Sequence, residues 1–185
     1  MATDGDKAVW YFAYGSNMKS EVMHRRGMKP LAVKRLVVPS HVLTFDIFGV
    51  PYSEPAMASI AERGTVAVRG GGGEGVGAGR TIGDLHETPE SHLWPPPVHG
   101  IGYLLSAADF LSLVVSEGAG TAYTEVEVQA RLLDADDDDD DGEHEGGMLT
   151  VRTLVGRYPF RPNPLPSARY LVSCCCLGLF RGQCF

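Results

Sequence analysis

The sequence predicts an α+β domain with a mixed, mostly antiparallel, barrel-like sheet and a few peripheral helices. Two long stretches, 122–133 and 148–155, alternate apolar and polar residues with the period of two that half-buried strands show. The predicted strands and helices do not follow one another as a regular βαβ series, so we expect mostly antiparallel pairing. With 185 residues and 44% hydrophobic composition, the chain can bury one substantial core. We therefore expect a single domain over residues 1–185.

The N-terminal segment predicts a strand followed by a short helix. Residues 9–14 are mostly aromatic or β-branched, as is typical of a buried strand. Ser16 and Asn17 are favoured helix caps ahead of an amphipathic helix over residues 19–26. Gly27 is a natural residue to end that helix.

Gly15 stands between this strand and this helix. A glycine there allows close backbone approach or a positive φ angle, which a side chain would resist. The junction would direct several backbone N–H groups to one point, and such a cradle suits a carboxylate or an oxygen that gains negative charge. On spacing alone, a purely structural strand–turn–helix junction explains the same pattern.

The middle of the chain contains strand-like segments and one long segment of low hydrophobicity. Residues 36–38, 42–48 and 57–63 have strand composition. Residues 70–79 are dominated by glycine, and residues 81–97 are polar and end in three prolines. A segment with so few apolar residues cannot offset its ordering entropy, so we expect a flexible insertion over 70–97.

A second strand and helix follow the insertion. Residues 98–105 read as a strand, and Ser106 is the expected cap of the next helix. We expect that helix to end at Glu117 and Gly118. Its predicted apolar face consists of Phe110, Leu111, Val114 and Val115.

The two alternating stretches predict a β-hairpin. On the first of them, one face is apolar and the other is polar. The apolar face is formed by Val126, Val128, Ala130 and Leu132, and the polar face by Glu125, Glu127, Gln129 and Arg131. Residues 134–147 would then form the loop of the hairpin.

The net charge of −7 reflects that loop more than the rest of the chain. Nine of the 23 acidic residues lie between positions 134 and 145, leaving 14 against 16 Lys and Arg. No basic stripe is interleaved with aromatic residues, so we expect no nucleic-acid partner. The loop matches the first half of an EF-hand calcium loop, but position twelve would be Met148 in place of the required glutamate. A solvated, self-repelling loop is the favoured interpretation, and we expect no metal site.

Cysteine usage and the absence of long apolar runs predict a cytoplasmic protein. Residues 1–7 are polar and lack the apolar core of a secretory signal. No apolar run approaches the ~20 residues that a spanning helix needs, so we expect no membrane partner. All four cysteines lie in the last twelve residues, without the spacing of a disulfide framework or of paired zinc ligands.

Five segments, in order along the chain, resemble the γ-glutamylcyclotransferase family. Residues 11–18, YFAYGSNM, resemble its signature, and residues 50–60 are similar to a strand region of its fungal members. Residues 98–105 resemble the strand before the catalytic segment. Ser116-Glu117-Gly118, followed by Tyr123, resembles the acidic catalytic element, and residues 166–170 resemble a late proline–serine–tyrosine element. The resemblance spans roughly residues 9 to 171.

The resemblance implies a reaction and a substrate class. In that reaction the α-amine of a γ-glutamyl amino acid attacks its own γ-carbonyl and closes a five-membered lactam. The products are 5-oxoproline and the released amino acid. Nucleophile and electrophile belong to one small molecule, so holding it folded supplies much of the acceleration. One carboxylate can make both proton transfers, and the resemblance implies no cofactor.

The resemblance also assigns the site residues. Glu117 is the predicted catalytic acid and base, while Glu54 is the rival acid, which we interpret as structural or specificity-related. Tyr123 and Tyr170 are the predicted substrate-contacting phenols, with a packed core tyrosine as the alternative for each. The predicted binding segment for the glutamyl group is Tyr11, Phe12, Ala13, Tyr14, Gly15, Ser16 and Asn17.

The chain departs from the family pattern after Tyr170. A further amphipathic helix is expected there, whereas residues 171–185 form a cysteine-containing apolar tail. A γ-glutamylamine cyclotransferase and a glutathione-specific cyclotransferase remain alternatives, because the same glutamate serves all of them. A non-catalytic binding module on the same fold is a further alternative.

Overall fold

The computed structural model describes residues 7–50, 54–65, 96–118, 120–133, 147–160 and 166–168. Tyr170 and the divergent tail 171–185 lie outside the described residues. So do all but the last two residues of the predicted insertion 70–97 and all but the last of the predicted loop 134–147. The side chain of Glu54 is likewise outside the description.

Six strands and two short α-helices make up the described part of the chain. They are β1 Val9–Ala13, a 3₁₀ turn Ser16–Met18, α1 Ser20–Arg25, β2 Ala32–Val50, β3 Glu54–Glu62, β4 Pro97–Leu105, α2 Ala107–Ser116, β5 Tyr123–Leu132 and β6 Met148–Gly156. Neither described helix is long and apolar enough to cross a bilayer.

Five of the strands close into a barrel. The sheet order is β3-β2-β4-β1-β6-β5, and β5 pairs back onto β2 at Leu36 with Leu132 and at Val37 with Arg131. Strand β3 lies outside this ring, as an antiparallel partner of the second half of β2. The pair β1–β6 is parallel, and the other pairings among the described strands are antiparallel. The predicted α+β class with a mostly antiparallel, barrel-like sheet is confirmed.

Strand β1 is buried on both faces, which explains its uninterrupted apolar sequence. Tyr11 and Ala13 pack in a cluster with Met23 and Leu113, on the side covered by the helices. Phe12 packs in a separate cluster with side chains of the barrel interior, among them Leu36 and Val128.

Gly100 on β4 is required by the packing of β1. A Cβ atom at this position would lie 2.3 Å from the backbone oxygen of Ala13 and 2.7 Å from the ring of Phe12. Phe12 is fully buried, so neither neighbour has open space to move into.

Strand β2 is longer than the sequence predicts. Residues 36–38 and 42–48 belong to one 19-residue strand that continues through Pro39. The pairing of β2 with β4 shifts register between Val38 and Val42. A proline is tolerated at such an irregularity, because the ladder there does not require its missing N–H.

The predicted capping of α1 by Ser16 and Asn17 is wrong. Lys19 occupies the N-cap without a side-chain hydrogen bond, and residues 16–18 form the separate 3₁₀ turn. The predicted end of the helix is confirmed. Gly27 has φ +77°, and its N–H donates to the carbonyl oxygen of His24 at 2.9 Å.

Helix α2 has the predicted ends but a different buried face. Ser106 caps it, because the hydroxyl accepts a hydrogen bond from the N–H of Asp109 at 3.1 Å. Phe110 and Leu113 are buried, whereas Leu111 and Val115 are 63% and 59% exposed. The prediction of Leu111 and Val115 on the apolar face is therefore wrong, since residues three and four apart share a helix face and adjacent ones do not.

The predicted hairpin of β5 and β6 is confirmed. The two strands pair antiparallel from Tyr123 with Gly156 to Arg131 with Met148. Val128 and Ala130 are buried on the inner face, and Glu125 and its polar neighbours on the other face are exposed.

Candidate active site

A carboxylate from α2 meets an amide from the turn after β1. The side-chain nitrogen of Asn17 donates to Glu117 Oε1 at 3.1 Å and to the hydroxyl of Tyr11 at 3.1 Å. Asn17 is 9% exposed, and the Glu117 side chain is 20% exposed. Two residues 100 positions apart in the chain therefore share one partly buried hydrogen-bond network.

Packing of α2 on the barrel produces this meeting. Phe110 and Leu113 belong to the cluster that contains Tyr11, and the rings of Tyr11 and Phe110 are 6.3 Å apart. This contact lays α2 across the face of β1. Glu117, the C-cap of α2, then lies beside the residues that follow β1.

Arg26 contacts the same carboxylate from the end of α1. Its Nη1 lies 2.6 Å from Glu117 Oε1 and donates to Ser116 Oγ at 2.6 Å. Ser116 Oγ in turn donates to the carbonyl oxygen of Leu113 at 2.7 Å. Arg26 carries no functional signal in the sequence, because a basic residue before a helix-ending glycine is common and only the tertiary contact marks this one.

Glu117 and the segment after β1 line one small cavity of about 40 Å³. Its lining residues are Tyr11, Tyr14, Gly15, Ser16, Asn17, Ala58, Glu117, Tyr123 and Leu154. A larger cavity of about 440 Å³ shares Glu117, Tyr123 and Leu154 with it and extends towards Glu125 and Arg157. We call the two together the cleft.

The turn after β1 lines the small cavity and contains polar groups that lack hydrogen-bond partners among the described residues. The backbone N–H groups of Gly15, Ser16 and Asn17 make no hydrogen bond to any described residue. Asn17 Oδ1 is buried and likewise lacks a hydrogen-bond partner in the part of the chain that the structure describes. Gly15 has φ −125°, so the alternative of a positive φ at this glycine is excluded.

Two phenols of the cleft are held in the neutral form. Burial raises the pKa of Tyr11 far above its ordinary value, against the opposing effect of the hydrogen bond from Asn17. Burial also raises the pKa of Tyr123 to about 12, and the carboxylates of Glu117 and Asp46 add to this rise. Both tyrosines can therefore act as hydrogen-bond donors at neutral pH.

Most of the residues predicted for the site lie together around the small cavity. Tyr14 lines it, although its hydroxyl donates to the backbone oxygen of Leu154. Phe12 and Ala13 do not line it, since both are fully buried in the strand. Tyr123 contacts the carbonyl oxygen of Ala58 only weakly, at 3.5 Å. The catalytic and binding roles of these residues stay predictions.

No cluster suited to a metal ion was found in the described ranges. Among those residues, no group of three or more His, Cys, Asp and Glu side chains converges in a way that could hold a metal ion.

The chain is similar over most of its length to fungal proteins of one name. It is 46% identical over 168 residues to gamma-glutamyl cyclotransferase gliK of Aspergillus fumigatus, covering 91% of this chain and 55% of that protein. It is 41% identical over 167 residues to gamma-glutamyl cyclotransferase verK of Clonostachys rogersoniana, covering 90% of this chain and 83% of that protein. The chain thus spans about half the length of the Aspergillus relative. No protein-family model matches the chain.

Solved structures share the fold. A gamma-glutamyl cyclotransferase superposes with a TM-score of 0.57 at 18% identity, covering 92% of this chain and 78% of that one. A yeast gamma-glutamyl cyclotransferase described as specific to glutathione superposes with a TM-score of 0.53 at 13% identity, covering 86% and 75%. Because it is 41% identical to the Clonostachys protein and covers 83% of it, this chain belongs to the γ-glutamyl cyclotransferase family.

Proposed function

We propose that this chain cyclises a γ-glutamyl amino acid to 5-oxoproline, with Glu117 as the general base and then the general acid. The observation that carries the proposal is the contact between Glu117 Oε1 and the side chain of Asn17 at 3.1 Å. This contact joins the predicted catalytic carboxylate to the segment predicted to bind the glutamyl group. A scaffold without turnover would not require a carboxylate at that point.

The proton transfers balance with a single carboxylate. As the substrate α-amine attacks the γ-carbonyl carbon, Glu117 takes the proton that the amine loses. When the bond from that carbon to the leaving nitrogen breaks, Glu117 returns the proton to this nitrogen. Both contacts that the described residues make with the carboxylate are to Oε1, so Oε2 is available to the substrate.

The unused polar groups of the turn fit the two ends of an amino acid. The backbone N–H groups of Gly15, Ser16 and Asn17 would donate to the substrate α-carboxylate. Asn17 Oδ1 would accept a hydrogen bond from the substrate α-amine. A buried acceptor without a partner costs about 1–3 kcal/mol, so satisfying it favours the bound state. Tyr11 and Tyr123, both neutral, would donate to oxygens of the substrate.

The larger part of the cleft would receive the leaving group. Its volume of about 440 Å³ opens directly from Glu117 and Tyr123. Amino-acid, amine and peptide leaving groups all use the same proton transfers, so the choice among them depends on this cavity. The reaction needs neither a metal nor an organic cofactor, because the nucleophile and the electrophile are tethered in one substrate molecule.

Release of 5-oxoproline from a panel of γ-glutamyl compounds tests the proposal. The panel contains γ-glutamyl dipeptides, glutathione and γ-glutamyl-ε-lysine. Wild type should release 5-oxoproline from at least one of them, and Glu117→Gln should lower turnover ~10²–10⁴-fold, the usual contribution of general acid–base catalysis. Binding should survive in the mutant, because the groups that bind the α-carboxylate are unchanged.

Glu127→Gln is the matched control. Its carboxylate also pairs with an arginine, Arg152, at 3.2 Å, but it is 60% exposed and does not line the cleft. This variant should retain wild-type turnover. Unchanged turnover in a folded Glu117→Gln protein would be incompatible with the assigned role. Binding of γ-glutamyl compounds by wild type without any 5-oxoproline release would instead indicate a binding module.

A further inference from the structure

We infer that Arg26 is a positioning residue, which anchors Glu117 through Oε1 and so leaves Oε2 directed to the substrate. This inference rests on the proposed function of Glu117. It adds a residue to the reaction that no sequence motif singled out, and it gives the end of α1 a part in catalysis.

The contacts of Arg26 reach both residues at the end of α2. A single guanidinium nitrogen, Nη1, lies 2.6 Å from Glu117 Oε1 and 2.6 Å from Ser116 Oγ. Ser116 Oγ is itself fixed by its hydrogen bond to the carbonyl oxygen of Leu113. Ser116 therefore holds the Arg26 guanidinium against the end of α2, and the guanidinium in turn holds the Glu117 carboxylate.

Glu117 lies where its own backbone constrains it little. It is the C-cap of α2, and Gly118 after it has φ +93°, so no helical turn continues beyond the carboxylate. A glutamate side chain has several rotamers, and a general base must be held within hydrogen-bond reach of the proton that it takes. Asn17 and Arg26 hold the same oxygen from two different elements.

The charges around Glu117 leave Arg26 as its counter-ion. Asn17 from the 3₁₀ turn is neutral, and Tyr11 from β1 and Tyr123 from β5 are neutral phenols at ordinary pH. Among the described residues, Arg26 is the cation in contact with the carboxylate. The side chains of the pair remain 28% and 20% exposed, so we expect the pair to contribute little to stability. A loss of activity on breaking it would therefore reflect position more than folding.

Kinetics of Arg26→Met and Arg25→Met test the role. Arg25 is the preceding residue, is exposed and carries the same charge, so its substitution controls for the lost charge. Arg26→Met should lower kcat ~10–10²-fold, the usual effect of a misplaced catalytic group, with little change in KM. Arg25→Met should behave as wild type. Arg26→Lys should restore only part of kcat, because an ammonium is a strongly hydrated point charge on a flexible stem and would hold the two contacts of Nη1 less rigidly.

A double mutant separates positioning from a structural role. In the Glu117→Gln background, Arg26→Met should cause no further loss. An equal further loss there would show that Arg26 acts through another group, and the inference would be overturned.

A readout that does not need activity distinguishes this inference from the proposed function. The side-chain carboxyl carbon of Glu117, labelled with ¹³C and identified by its absence in Glu117→Gln, should shift in Arg26→Met and not in Arg25→Met. With an active wild type, an unshifted resonance or an unchanged kcat in Arg26→Met overturns the inference alone. If wild type releases no 5-oxoproline from any substrate of the panel, the proposed function fails and the positioning role fails with it, even where the resonance shifts.

Discussion

The two helices end in the same way, but their C-cap residues carry opposite charges. Helix α1 ends at Arg26 and Gly27, and α2 ends at Glu117 and Gly118. Both glycines adopt the left-handed conformation, with φ +77° and +93°. The two C-cap side chains then pair with each other at 2.6 Å.

Only one of these ends agrees with the helix dipole. A cation at a helix C-terminus is favourable by about 0.3–1 kcal/mol, and an anion there is unfavourable by a similar amount. Arg26 therefore suits its place and Glu117 does not. Functional sites are where local preferences are expected to be broken and compensated elsewhere. Arg26 and Asn17 supply the compensation, and the comparison marks Glu117 as the residue whose position needs a reason other than helix termination.

Gly15 differs most from the two helix-ending glycines, Gly27 and Gly118, because its φ of −125° is not left-handed. The largest effect is expected from a substitution at this position. It lines the small cavity, so we expect a side chain there to occupy space that the proposed substrate requires. Gly15→Val should abolish measurable binding of a γ-glutamyl dipeptide in isothermal titration calorimetry while the protein stays folded by circular dichroism. Normal affinity in a folded Gly15→Val protein would rule out the proposed cradle.

Substitution of either helix-ending glycine by alanine should lower the free energy of unfolding, but by different amounts. A Cβ at Gly27 would meet nothing within 4 Å, so Gly27→Ala should cost only the strain of a left-handed residue, about 1–2 kcal/mol. At Gly118 the Cβ would also crowd Thr121 Oγ1 at 3.2 Å, so Gly118→Ala should cost more. Urea unfolding of the two variants measures both values. An equal or smaller loss for Gly118→Ala would show that Thr121 yields without cost.

The smallest effect is expected from the largest change in charge. Nine acidic residues lie between positions 134 and 145, far more than the single carboxylate of Glu117. Replacing residues 134–147 by an Asn-Gly turn should leave 5-oxoproline release unchanged and stability equal or higher, because self-repulsion is removed. The assay is turnover and urea unfolding beside wild type. A folded variant that has lost turnover would give the loop a functional role.

Elements with a local signal were predicted well, and those set by distant contacts were not. The hairpin of β5 and β6, the Ser106 cap and the two helix-ending glycines follow from residues a few positions apart. The continuity of β2 through Pro39 does not, because it depends on a register shift in the distant pairing with β4. The capping role predicted for Asn17 failed for the same reason, since its side chain is bound by Tyr11 and Glu117 instead.

By itself, the sequence determined the fold class, the succession of strands along the chain and the segments that contain the candidate site. Period-two patterns and left-handed glycines act over a few residues, so they can be read without a structure. Only the tertiary structure decided that Asn17 and Glu117 share a hydrogen bond and that Arg26 joins them. Those contacts bridge up to 100 positions, and they exist because Phe110 and Leu113 seat α2 on the face of β1.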